Sequence, residues 1–276
     1  DQLLWQPRSV CDYGLSFMSF VDRVLMLHNL PCIQRFRLIV GGEIDLYRLN
    51  TWINFAISRF VQELHIQISS FEGLNLPFKL FKCETLVIFK LFSKVELFDI
   101  PDLVSFTSLK ILHVSLEHPD SKVTEKLFSS CPVLEDLFIE ANMEKCEERI
   151  FNIHAPALRS FKIDFFGTDD DDLELSGNLI MLNAPRLEYL TLEDNYLACY
   201  LLKNLYSLVK ADVNVGDCCL QTFTTKEHVN QVFVILNEIY NVNSLSLGAS
   251  TMGALDFADD NNNLPLFLNL THLEVG

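Results

Sequence analysis

No stretch of the 276 residues reaches the roughly 18 uninterrupted apolar positions of a membrane-spanning helix. The opening segment, DQLLWQPRSV, has no basic stretch leading into an apolar run and a small-residue cleavage site, so it does not read as a signal peptide. Eight cysteines are present: Cys11, Cys32, Cys83, Cys131, Cys146, Cys199, Cys218 and Cys219. They form no C-x-x-C pair, and the histidines complete no zinc-finger spacing. Thiols so arranged in a long chain read as reduced, small apolar residues, which implies the cytoplasm and/or nucleus. The motifs of enzymes are missing as well. There is no G-x-S-x-G elbow, no phosphate-binding G-x-x-x-x-G-K-[ST] loop and no H-E-x-x-H, so no catalytic residue, metal or cofactor is assigned. Cations are scarce: 21 Lys and Arg against 37 Asp and Glu leave a net charge of −16. That balance disfavours nucleic acid and an anionic membrane surface as partners.

Hydrophobic residues make up 49% of the chain, enough for a large core. They are distributed in a repeat. An apolar residue, two variable ones, an apolar one, a variable one and an apolar one recur about ten times. The copies are Ile33-Phe36-Leu38, Val61-Leu64-Ile66, Cys83-Leu86-Ile88, Leu109-Leu112-Val114 and Leu134-Leu137-Ile139. They continue as Leu158-Phe161-Ile163, Leu187-Leu190-Leu192, Leu208-Ala211-Val213, Val242-Leu245-Leu247 and Leu270-Leu273-Val275. Successive copies lie 21 to 34 residues apart. Alternation within each copy predicts a short strand with apolar side chains inward and variable ones outward. No copy can bury its own apolar side, so neighbours must stack. The fold class expected is α/β: a leucine-rich-repeat solenoid, a curved horseshoe with a parallel sheet of about ten strands and short helices or turns on its convex side.

Between the strands, Asp45 to Phe60 carries a helical stripe of Leu46, Leu49, Ile53 and Ile57. Thr124 to Ser130 reads as a short helix stopped near Pro132, and Thr225 to Tyr240 as a longer one with Thr224 and Glu227 at capping-box spacing. The other returns are expected to be turns. Ala155-Pro156 and Ala184-Pro185 are expected to lead directly into strands. Residues 1–31 form a separate lead-in: Phe17 to Leu30 predicts an amphipathic helix, with Phe20, Val24 and Leu27 on its apolar side, capping the first repeat. Residues 32–276 form the repeat domain. The tracts Thr168 to Glu174 and Asp259 to Asn263 read as solvated loops rather than calcium sites.

Several segments resemble the leucine-rich region of plant F-box/LRR proteins, including the F-box/FBD/LRR group. They are FVDRVLMLHNLPCIQRFRL, TWINFAISRFVQELHI, LFKCETLVIFKL, SLKILHVSL, NAPRLEYLTLEDN, NLYSLVKADVNV and, most specifically, KLFSSCPVLEDLFIE. The resemblance implies substrate recognition in an SCF-type ubiquitin ligase, with a protein target on the repeats. It implies binding to the SCF adaptor subunit only where an F-box lies upstream; residues 1–16 do not look like one. It also implies that an FBD-like segment follows NLTHLEV.

The variable positions on the concave face are the candidate binding site. Among them are Arg35, Arg37, His65, Val87, Phe89 and Ile111, followed by His113, Phe138, Lys162, Tyr189 and Lys210. Val87, Phe89, Ile111 and Phe138 are expected to form an apolar patch, a common anchor for a protein partner. A second reading is a stand-alone scaffold with no ligase role, whose acidic concave face grips a basic protein.

Overall fold

The computed structural model describes the chain except for residues 1–9, 43, 69–75, 96–100, 102, 118–119, 143–148, 167–177, 196–197, 217–225 and 259–263. The two acidic tracts, Cys146, Cys218, Cys219 and Thr224 therefore lie outside the described residues. In chain order the elements are α1 (Val10–Leu27), β1 (Arg35–Val40), α2 (Leu46–Ser58), β2 (Glu63–Ile68), a 3-10 turn (Leu80–Lys82), β3 (Ile88–Val95) and β4 (Ile111–Glu117). Then come α3 (Ser121–Ser129), β5 (Asp136–Asn142), β6 (Ile150–His154), β7 (Ser160–Phe166), β8 (Leu179–Asn183) and β9 (Tyr189–Asp194). The chain continues through β10 (Cys199–Lys203), β11 (Lys210–Val215), α4 (Lys226–Glu238), β12 (Ser244–Leu247), α5 (Ala249–Asp256) and β13 (His272–Val275).

Ten strands form one parallel sheet in the order β1-β2-β3-β4-β5-β7-β9-β11-β12-β13. Its construction repeats. From the third copy on, the first apolar residue of each copy closes a tight turn: Leu134 N–H donates to Cys131 O at 3.2 Å, Leu158 to Ala155 at 3.1 Å and Leu187 to Ala184 at 3.1 Å. Pro132, Pro156 and Pro185 occupy the second position of these turns, where a fixed φ is favourable. They lie ahead of the strands rather than at their edges. The next residue of each copy offers one carbonyl to two amides of the following copy. Val87 O accepts from Lys110 N and Ile111 N, Lys110 O from Glu135 N and Asp136 N, and Glu135 O from Arg159 N and Ser160 N. This clip recurs from Gln34 to Asn243 and fixes the register of each strand on the last. The inward side chains then stack in columns. Leu64, Phe89, Leu112, Leu137, Phe161 and Leu190 are all buried in one continuous core.

The third copy is framed differently from the sequence expectation. Its apolar triplet is Leu86-Phe89-Leu91, not Cys83-Leu86-Ile88. Phe89 pairs with Leu64 and Leu112, and is 3% exposed. Cys83 occupies the turn that precedes the copy, as Cys131 does in the copy after next. The other copies stand in the expected frame.

The middle returns are strands where turns were expected. β6, β8 and β10 form a second parallel sheet, ordered β10-β8-β6. Phe151 and Ile153, Ile180 and Leu182, and Tyr200 and Leu202 alternate inward into the shared core. Two of the contacts among the described residues tie the sheets together through rings and a hydrogen bond. The rings of Phe151 and Phe165 lie 5.6 Å apart, and Tyr200 OH donates to Asp194 Oδ2 at 2.7 Å.

The lead-in helix α1 also turns a different side inward. Phe17, Met18, Val21 and Leu25 pack on the core, whereas Phe20, Val24 and Leu27 are exposed. Trp52 of α2 sets this rotation. Its ring meets Phe17 edge-on at 6.3 Å, and its Nε1–H donates to Asp22 Oδ1 at 2.7 Å. Asp22 also pairs with Arg48 at 3.3 Å.

Candidate protein-binding face

Strands β1 to β11 of the ten-stranded sheet send their first, third and fifth side chains to the open face, and the four-residue β12 and β13 their first and third. Pairing fixes which residues become neighbours. The third positions run Arg37, His65, Lys90 and His113 along β1 to β4, then Phe138, Lys162, Thr191 and Asp212 along β5 to β11. The sequence-predicted residues fall unevenly on this grid. Arg35 forms an ion pair with Glu63. His113 Nε2 lies 3.2 Å from Asp136 Oδ1. Lys162 Nζ lies 4.0 Å from Asp164 and 5.1 Å from the centroid of the Phe138 ring. Lys210 lies 3.3 Å from Asp212, and Tyr189 is half exposed. Arg37 makes no ion pair with any described residue, and neither does Lys90.

Phe89 is the residue that does not belong: it is core. Val87 is only half-buried, but it stands one residue ahead of β3 and its carbonyl serves the register clip. The apolar patch therefore keeps Ile111 and Phe138 of the expected set and takes Ile88 and Phe92 in place of Val87 and Phe89. Ile88 pairs with Ile111 at the first position of adjacent strands. Phe92 and Phe138 approach to 6.3 Å, with His65 edge-on to Phe92 at 5.8 Å and His113 edge-on to Phe138 at 5.7 Å. Sequence reasoning missed Ile88, Lys90 and Phe92 because it set the third copy three residues early. A spacing signal was present. Leu86 lies 25 residues after Val61 and 23 before Leu109, whereas Cys83 gives a less even 22 and 26.

Burial lowers the His65 pKa below its ordinary value, and the positive charges of Arg37, Lys90 and His113 lower it further. Its Nε2 is shielded from solvent without a hydrogen-bond partner among the described residues. Elsewhere, burial pushes the Cys131 thiol up to about 12, and its Sγ–H donates to Leu127 O at 3.3 Å. That thiol is a packing group of the repeat turn. Among the described residues, no group of three or more His, Cys, Asp or Glu side chains could hold a metal ion. No helix among them is long and apolar enough to cross a membrane.

Stacked parallel strands, register clips and an open face of variable side chains define a leucine-rich-repeat protein. The family profile described as "FBD-associated F-box protein At5g56370, LRR repeats" matches residues 49–211. The F-box/LRR-repeat protein At4g14103 of Arabidopsis thaliana is 31% identical over 284 residues, covering 100% of this chain and 72% of its own length. The F-box/FBD/LRR-repeat protein At1g78750 is 32% identical over 97% of this chain and 61% of its own length. FBD-associated F-box protein At4g13985 is 28% identical over 94% and 57%. Both are from Arabidopsis thaliana, and the chain spans less than two thirds of each. No solved structure matches the chain. The chain belongs to the plant F-box/FBD/LRR-repeat family and corresponds to its leucine-rich-repeat region. It is a repeat module of the protein-interaction type.

Proposed function

We propose that this chain is the target-recognition domain of an SCF-type ubiquitin ligase F-box protein. The observation that carries the reading is the open face: the sheet presents half-buried aromatic rings beside the cations Arg37 and Lys90, which form no ion pair among the described residues. Aromatic and cationic side chains on a rigid support are what anchors a protein partner. The F-box in the relatives' names supports the link to a ligase. In this reading residues 1–31 cap the first repeat, residues 32–276 hold the target, and the adaptor subunit is held by an F-box encoded with the chain.

The test uses the full-length product of the gene that encodes this chain. Its affinity for the purified SCF adaptor subunit is measured with the wild type and with an Arg37→Glu/Lys90→Glu variant. Both forms are expected to bind the adaptor equally, with only the wild type transferring ubiquitin to its target. A full-length product that does not bind the adaptor removes the ligase role and leaves a stand-alone binding scaffold.

A further inference from the structure

The net charge of −16 suggests an acidic binding face. The register gives the opposite sign on the first four strands. The third positions of β1 to β4 are Arg37, His65, Lys90 and His113, with no carboxylate among them. The fifth positions, Ile39, Gln67, Phe92 and Ser115, carry no charge. At the first positions Glu63 is held by Arg35, and Ile88 and Ile111 are neutral; Asp136 of β5 lies against His113. Acidic side chains appear at the fifth position only from Glu140 and Asp164 onward. Strands about 4.8 Å apart place the four basic positions along roughly 14 Å, the reach of about four extended residues. The Phe92 and Phe138 rings flank this stripe.

We propose that the face of β1 to β5 docks an acidic peptide segment of the partner that also carries an aromatic or aliphatic side chain. Carboxylates lie along the Arg37–His113 column, and the apolar side chain rests on Phe92 and Phe138. The proposal rests on the recognition reading above and gives the chemistry of what is recognised. Single-stranded nucleic acid offers the same charge and stacking bases, but the acidic field of the whole chain opposes a long polyanion. A short acidic segment meets only the basic stripe.

His65 makes docking depend on pH. His65 faces Arg37 of β1, Lys90 of β3 and His113 of β4, with Glu63 on its own strand; burial and the charges of Arg37, Lys90 and His113 lower its pKa below the ordinary value. A carboxylate beside the ring favours the imidazolium, so docking takes up a proton and tightens as the pH falls.

The probe is a fluorescent random copolymer of glutamate and tyrosine, titrated with this chain and followed by anisotropy. The wild type is expected to bind it. Arg37→Glu/Lys90→Glu should weaken binding by about tenfold or more, and raising salt from about 50 to about 300 mM should also weaken it. Lys203→Glu/Lys226→Glu, an equal charge change at exposed sites on β10 and α4, should leave binding unchanged. Lowering the pH from about 7.5 to about 6 should tighten wild-type binding, and His65→Gln should flatten that dependence. The proposal is overturned if the copolymer does not bind, if both charge-reversed variants lose binding equally, or if polyuridylic acid binds more tightly at the same face. A copolymer that fails while Arg37→Glu/Lys90→Glu still abolishes ubiquitin transfer removes the acidic-partner chemistry alone. A copolymer that binds while the full-length product ignores the adaptor removes the ligase role alone.

Discussion

His65 ties the binding face to pH. Because its pKa in the folded protein lies below the ordinary value of 6.5, the folded state binds fewer protons than the unfolded one beneath that pH. The stability associated with a neutral His65 is therefore full above about 6.5 and falls as the pH drops through the folded value. His65→Gln removes this share. Urea midpoints measured from about pH 7.5 to about pH 5.5 should fall less steeply in the variant than in the wild type. An equal slope would show that His65 titrates alike in both states. At the other sheet junction, Tyr200 is fully buried and donates to the equally buried Asp194, whose Oδ2 also accepts from Ala198 N at 2.9 Å. Burial, and then the Asp194 charge, holds the Tyr200 hydroxyl well above its ordinary pKa. Tyr200→Phe withdraws a donor from that carboxylate and should lower unfolding free energy by about 1–3 kcal/mol. A thermal or urea midpoint equal to the wild type contradicts this account of the junction.

Element by element, the apolar triplets specified nearly every strand of the ten-stranded sheet, because a period of two over an exposed and a buried side leaves one register. The third copy was misread because Cys83-Leu86-Ile88 satisfies the same spacing as Leu86-Phe89-Leu91. The backbone clip at Val87 and the pairing of Phe89 with Leu64 and Leu112 separate them. The second sheet was hidden for a related reason. Phe151-Ile153 and Tyr200-Leu202 each offer one short alternation, too brief to distinguish from a turn until stacked on its neighbours. α1 was misjudged because its inward side is chosen by Trp52 and Asp22, a contact across 30 residues. One helix end carries strain that sequence did not reveal. Phe60 has φ 58° at the end of α2, where Val61 N–H donates to Ala56 O and Phe60 N–H to Ile57 O. This is the position at which helices favour glycine. Since the Phe60 side chain is mostly exposed, Phe60→Gly should raise stability by about 1 kcal/mol, read as a higher urea midpoint. A lower midpoint would mean that the ring contributes more than its backbone costs.

Across the whole molecule, composition and distribution point in different directions. A chain of net charge −16 carries a basic, aromatic stripe on one half of one face. Counting charges cannot reveal this, because columns form only once every strand is in register, and Lys90 enters the stripe only in the corrected frame. The candidate residues were thus partly legible: Arg37, His65, His113 and Phe138 stand where the triplets put them, while Phe89 is core. Above all, in the proposed reading the partner is held on the open face of the first strands rather than on the helices. A photo-crosslinking residue placed at Ile88, on that face, is compared with one at Val234, exposed on α4, in the full-length protein inside plant cells. The account predicts a discrete partner adduct from Ile88, none from Val234, and loss of the Ile88 adduct when Arg37→Glu/Lys90→Glu is added. An adduct formed from Val234 and not from Ile88 would contradict it.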